Sequence, residues 1–194
     1  MIPARLVFDE HAGEYDTWFD EHNSMYQAQL RILRGAVPDF RRGLEVGVGS
    51  GRFGNPLGIK YGIDPSQNLA RMAKRRDVEV ALGEAEHLPY RAGSFDFVLM
   101  MTVICFLDDI HRAFHEAHCV LETRGTLVAG FIEAGGKIFQ KYQHEPIKGR
   151  FLRFATFHTI DEVYGFFNDN GFTDVSVLQK VRGFCVISGR KTVR

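Results

Sequence analysis

The chain has little of the material that marks several large protein classes. No run approaches the roughly 18 uninterrupted apolar residues of a membrane span. The opening residues, MIPARLVFDEHAGEYD, contain no apolar stretch of the secretory-leader kind. The expectation is a soluble, cytoplasmic protein with no membrane partner. Cysteine is scarce: Cys105, Cys119 and Cys185 are widely spaced, odd in number and flanked by apolar residues, with no C-x-x-C pair. That pattern reads as reduced, mostly buried thiols. Charge of either sign is not in excess, since 24 Lys+Arg stand against 24 Asp+Glu. No global field draws the chain to nucleic acid or anionic lipid, so any polyanion contact has to be local. Internal repeats and low-complexity segments are missing too. At 194 residues and 45% hydrophobic content, the chain suits one well-buried domain.

What is present is an alternation of short apolar runs and helical patterns. The runs are LEVGV (44–48), YGID (61–64), VEVAL (78–82), FDFVLMM (95–101) and GTLVAGFI (125–132). Near-continuous apolar strands separated by helices imply a parallel sheet covered on both faces. Two closing runs, FTDVSVLQK and FCVISGRK, meet around Arg182 and Gly183, a connection short enough to require an antiparallel pair. Helix signals punctuate the strands. Ser66 can cap a helix with Leu69, Met72 and Ala73 on its apolar face. Asp108 and Asp109 open another, and Thr159 with Glu162 forms a capping box ahead of a helix ended by Gly171. Before the first strand, Phe8, Tyr15, Trp18, Phe19 and Tyr26 recur at roughly helical spacing up to Gly35, which reads as a helical cap. The fold class is therefore α/β: a doubly wound, mostly parallel, seven-stranded Rossmann-like sheet with an antiparallel C-terminal strand and an N-terminal helical cap.

The most informative stretch is LEVGVGSGRFG, Leu44 to Gly54, because two glycine fingerprints overlay it. Gly47, Gly49 and Gly51, led by Glu45, spell an acidic-x-G-x-G-x-G loop. Gly49, Gly51 and Gly54 spell the G-x-G-x-x-G of dinucleotide sites. The second register runs the strand through Gly47, a weak strand residue beside a ligand-bearing turn, whereas the first ends the strand at Val46. The first register is preferred. Asp64 follows at the end of the next strand, where an acid accepts ribose hydroxyls in either family. It is expected at an exposed strand end, with its carboxylate facing the cleft.

With those residues in view, the chain resembles the class I S-adenosylmethionine-dependent methyltransferases, in particular the small ubiquinone/menaquinone-biosynthesis-like subgroup. The carriers are FDEHAGEYDTWF, LEVGVGSGRF, GIDPS, GEAEHLPYRAGSFDFVLM and VLETRGTLVAGF, in that order over about residues 8–180. The resemblance implies S-adenosylmethionine as cofactor and S-adenosylhomocysteine as product. It places Gly47, Gly49 and Gly51 beside the methionine part, with Glu45 anchoring its charged end directly or through water. Asp64, followed by Pro65, takes the ribose hydroxyls, and Glu84 with Ala85 reads the adenine edge. Backbone at Met101 and Thr102 lies by the amino group. There are departures from the family pattern: Glu84 replaces the usual Asp, ETRGT replaces a K-P-G-G turn, and only 12 residues separate Gly51 from Asp64, which shortens the first helix. One domain is expected, divided into a cap (about 1–40), a cofactor-binding half (41–132) and a substrate-side segment with closing strands (133–194).

The acceptor is expected to be a small molecule, contacted from the cap and from 133–158. Substrate-side candidates are Tyr15, Trp18, His22, Cys105 and His144. His22, His144, His158, Tyr15 and Glu133 are conceivable bases, and no catalytic residue is singled out. Alternatives are an RNA or protein methyltransferase using Lys137, Lys141, His144, Lys148, Arg150 and Arg153, a non-catalytic cofactor-binding module, and a dinucleotide oxidoreductase. His111, His115 and His118 sit at i, i+4, i+7 on the polar face of a helix, and no metal site is expected there. Oligomeric state is not legible.

Overall fold

A computed structural model describes residues 4–144 and 150–192, with side chains omitted for 141–144. Seven strands form one sheet: β1 (Gly43–Val46), β2 (Tyr61–Asp64), β3 (Glu79–Leu82), β4 (Phe95–Met101), β5 (Leu121–Ile132), β6 (Phe172–Val181) and β7 (Phe184–Lys191). Their order is β3-β2-β1-β4-β5-β7-β6. Strands β1 to β5 pair in parallel, and β7 lies antiparallel between β5 and β6. The helices are α1 (Ala4–Glu10), α2 (Ala12–Glu21), α3 (Asn23–Ala36), α4 (Gln67–Lys74), α5 (Ile110–Val120), α6 (Lys137–His144) and α7 (Ile160–Asp169).

The side-chain alternation of β4 shows how the two faces are covered. Val98 and Met100 join the cluster that includes Phe114 and Ala117 of α5 and Val163 and Phe167 of α7. Phe97, Leu99 and Met101 join the other cluster, built with Phe19, Tyr26, Leu30 and Leu33 of the N-terminal helices. Strand β7 alternates likewise, with Cys185 and Ile187 on the first face and Phe184 and Val186 on the second.

Several local expectations are corrected. The cap is helical but breaks into three helices, and Gly35 lies inside α3, which ends at Ala36 just before Pro38, a residue that cannot continue it. The first crossover contains no α-helix, only a 3-10 turn at Asn55–Leu57. Phe53 and Ile59 of that crossover pack instead with Phe19 and Tyr26 of the cap. On α4 the buried residues are Leu69, Ala70 and Ala73, with Met72 only partly buried, because Ala70 and Ala73 meet Val48, Val78 and Val80. The region 133–158 is less irregular than expected. It holds α6 and a 3-10 turn at Leu152–Phe154, and Glu133 forms a parallel bridge with His158.

Candidate functional site

The chain turns sharply where β1 ends, and the turn settles the glycine register. Gly47, Gly49 and Gly51 have φ of 71°, 53° and 81°, while Gly54 has a right-handed φ of −55°. Gly47 is irreplaceable on two counts: its left-handed φ, and a Cβ that would sit 2.4 Å from Cγ2 of Val103. The Gly47 and Val48 amides donate to the Ile63 carbonyl at 2.9 and 3.0 Å, which pins the loop to β2.

Asp64 closes the loop from the other side. Its Oδ2 accepts from the Gly49 amide at 2.8 Å and its Oδ1 from the Ser66 amide at 2.9 Å. Ser66 itself caps α4, accepting from the Leu69 amide at 3.1 Å. Contrary to the exposed strand end expected, Asp64 is buried, at 6% exposure. Burial raises its carboxyl to about 6, against the two backbone hydrogen bonds that favour the anion. Each carboxylate oxygen keeps a further lone pair for a ligand hydroxyl.

Beneath the loop, Glu45 is 1% exposed and turns toward Gly54, whose added Cβ would lie 2.6 Å from Oε2. Burial raises its carboxyl well above the usual range, and Oε2 has no hydrogen-bond partner among the described residues. Thr102, just past β4, holds a left-handed φ of 50° and donates its amide to the Gly130 carbonyl at 2.7 Å. Backbone strain at the carboxyl edge of a parallel sheet is a mark of a ligand site.

The cap closes the cleft through polar ties. Arg5 of α1 pairs with Glu84. Asp9 accepts from the Ser66 hydroxyl and the Asn68 amide, both at 2.8 Å. Asp16 of α2 receives Arg52 Nε at 2.8 Å and Arg76 Nη2 at 2.8 Å, while Asp20 takes Arg52 Nη1 at 2.7 Å. Burial alone would raise the Asp16 carboxyl, but the two guanidiniums outweigh it and hold it well below the usual range. Arg150 and Phe151 also meet the cap. Arg150 Nε lies 3.2 Å from Glu14, and its Nη1 donates to His11 Nε2 at 3.1 Å. The Phe151 ring stacks on Phe8 at 4.8 Å and meets Tyr15 edge-on at 5.7 Å.

These elements enclose a cavity of about 760 Å3. Gly47, Gly49, Asp64, Pro65, Glu84, Ala85, Met101 and Thr102 line it, as do Tyr15, Trp18, His22 and Cys105. Glu45 and Gly51 do not; Gly51 packs against Ala73, which a Cβ would approach to 3.1 Å. The side chain of His144 lies outside the described residues, as do those of Lys141 and Lys148. Among the other candidate bases, Glu133 pairs with Lys180 at 2.8 Å, and neither it nor His158 lines the cavity. In the basic segment Arg150 is paired as described, and Arg153 lies over the Phe154 ring at 4.7 Å. Of the three α5 histidines, His111 meets Phe166 edge-on, His115 lies 3.5 Å from Cys119 Sγ and His118 meets Phe172 edge-on.

Sequence reading missed Met25 and Gln29 of α3, Phe106, and Phe151, all of which line the cavity. A signal was present for the first two. Tyr15, Trp18, His22, Met25 and Gln29 follow one another three or four residues apart, which puts them on one stripe across α2 and α3.

Comparison with known proteins agrees with this geometry. The family described as "Methyltransferase domain" matches residues 44–129. A Thermotoga maritima structure, described as a SAM-dependent methyltransferase and possible histamine N-methyltransferase, is 35% identical with a TM-score of 0.88, covering 96% of this chain and 99% of that one. The chain belongs to the class I S-adenosylmethionine-dependent methyltransferases. An uncharacterized protein of Methanocaldococcus jannaschii is 35% identical over 90% of this chain and 85% of its own length. A malonyl-[acyl-carrier protein] O-methyltransferase of Geobacter sulfurreducens is 30% identical over 93% of this chain and 74% of its own length. The methyltransferase uses S-adenosylmethionine, and its residues fit that cofactor: a glycine turn that leaves backbone bare, a buried carboxylate with lone pairs to spare, and an orphaned acidic oxygen beneath the loop.

Proposed function

We propose that this methyltransferase acts on a small molecule held between the sheet edge and the helical cap. The observation that carries the reading is the continuity of the cavity, which runs from Glu84 and Ala85, past Gly47 and Gly49, to Trp18, His22 and Met25 of the cap. Its volume of about 760 Å3 falls within the roughly 300–1,000 Å3 of small-ligand sites. In this reading Asp64 accepts the ribose hydroxyls, Glu84 and Ala85 flank the adenine, and Gly47, Gly49, Met101 and Thr102 offer backbone to the methionine part. Glu45 acts from below, through the loop or a water, and Gly51 shapes the turn. Trp18 and the other cap residues hold the acceptor.

The cofactor supplies a methyl group already activated for in-line transfer, so the chain's task is alignment and exclusion of water. Burial, followed by the charges of Asp64 and Glu45, pushes the Tyr15 phenol well above its usual range. It therefore stays protonated over Gly49 and serves as a hydrogen-bond donor, not a base. Burial likewise raises the Cys105 thiol to about 12, which keeps it from acting as a nucleophile. Among the described residues lining the cavity, His22 is the histidine, and we assign it the role of base. Its Nδ1 is 3.0 Å from the Trp18 carbonyl, which can only accept, so the neutral ring carries its proton there and leaves the Nε2 lone pair free. An acceptor that arrives protonated would lose its proton to that atom.

The test is transfer of labelled methyl from S-adenosylmethionine in a cell extract split by size. Label in a product below about 1 kDa supports the reading. Label confined to RNA or protein overturns it.

A further inference from the structure

On the acceptor side of the cavity, one side chain has no structural employment. Gln29 lies on α3 at 8% exposure and lines the cavity, yet its carboxamide has no hydrogen-bond partner among the described residues. Met25 precedes it by one turn on α3, Ile132 and Ile138 line the same cavity, and Leu30 and Leu33 of the same helix belong to the core. The amide opens onto the cavity with no group of the described residues to pair with, where leucine at the same helical position would serve packing equally well. A site built to pair with a ligand's polar group presents such an unengaged group until the ligand arrives.

The charges around it narrow what that ligand can be. Both arginines lining the cavity are spent, Arg5 on Glu84 and Arg150 on Glu14 and His11. An acceptor bearing a carboxylate or phosphate would therefore be desolvated with no free cation among the described residues to pair with it. A carboxamide offers one acceptor oxygen and two N–H donors, which match an uncharged group that both donates and accepts.

We infer that Gln29 is the specificity-determining residue for the acceptor, and that the acceptor is a largely apolar small molecule carrying one uncharged donor–acceptor group such as a primary amide. This rests on the small-molecule reading above and adds the chemistry of the bound molecule. Methyl transfer requires only that the accepting atom reach the cofactor; Gln29 reads a different part of the same molecule.

The experiment titrates three probes of matched size into protein saturated with S-adenosylhomocysteine: phenylacetamide, phenylacetate and phenethylamine, neutral, anionic and cationic. Phenylacetamide should bind at least several-fold more tightly than either charged probe. Q29L should weaken phenylacetamide roughly tenfold while leaving S-adenosylhomocysteine affinity unchanged, and should melt no lower than the parent, since no hydrogen bond within the described residues is lost. Tighter binding of a charged probe, no measurable binding of phenylacetamide at millimolar concentration, or equal affinity in Q29L would overturn the inference. Intact S-adenosylhomocysteine binding alongside any of those results leaves the cofactor site standing. Q29L that melts lower and binds phenylacetamide as well as the parent would make Gln29 a packing residue. The wider proposal fails separately, through label found only on macromolecules.

Discussion

If Asp64 holds the ribose hydroxyls as proposed, lowering the pH should weaken cofactor binding through it. Its carboxyl titrates at about 6 in the free protein because burial outweighs the amides of Gly49 and Ser66. Ribose hydroxyls donate to the anion and compete poorly for a protonated acid. If only the anion binds, the apparent Kd scales as 1 + 10^(6 − pH), which is close to one at pH 7.5 and about elevenfold at pH 5. Calorimetric titration of S-adenosylhomocysteine at several pH values reads this directly, with proton uptake checked in buffers of different ionisation enthalpy. Asp64→Asn keeps the shape and removes the titration, so it should bind more weakly at pH 7.5, by roughly tenfold or more, and show a nearly flat profile. A flat profile in the parent, or an undiminished slope in Asp64→Asn, would refute the reasoning. The effect on folding has the opposite sign. The folded carboxyl lies above its unfolded value of 3.8, so its contribution to stability is fully present below that value and is lost as pH rises through about 6. The loss approaches about 3 kcal/mol, which the ligand-free protein bears at neutral pH and cofactor hydrogen bonds offset.

S-adenosylhomocysteine at about 100 times its Kd should raise the melting temperature by roughly 5–10 °C, and NAD(H) at equal concentration should not; stabilisation by NAD(H) alone would overturn the register choice. Gly47→Ala should abolish cofactor binding and destabilise the fold by about 2 kcal/mol or more in urea, since its Cβ meets Val103 and its φ is left-handed. Asp16→Ala leaves Arg52 and Arg76 without their shared acceptor and should lower stability by about 1–3 kcal/mol, measured by urea unfolding, with a smaller loss at high salt. A chelator should leave the melting temperature unchanged; a drop would show a metal on the α5 histidines.

Strand positions were legible because a strand covered on both faces is a continuous apolar run, and FDFVLMM has no other economical reading. Caps were legible because Ser66 and Thr159 act within three residues of themselves. What could not be read depends on contacts distant in sequence. Asp64 is buried because Gly49 and α1 fold over it, and its neighbours in the chain, Pro65 and Ser66, say nothing of that. Glu45 is tied to the cofactor's charged end only by the family resemblance, directly or through water, and strand alternation turns its side chain to the face opposite Val46, under Gly54. Gln29 carries no signal of its own in the sequence; its place on the cavity-lining stripe of α3 is what marks it.

The replacement of the first crossover helix by a 3-10 turn has a consequence for how this enzyme can diverge. Where that helix would shield the sheet, Phe19 and Tyr26 lie on Phe53 and Ile59, so α2 and α3 are one of the two walls of the hydrophobic interior. The same two helices present Trp18, His22 and Met25 to the cavity. Transplanting the whole cap from a relative would exchange half of the interior along with the binding surface, and the chimera would collapse before its new preference could be seen. Single replacements along the cavity-facing stripe, by contrast, leave the core-facing stripe of the same two helices in place.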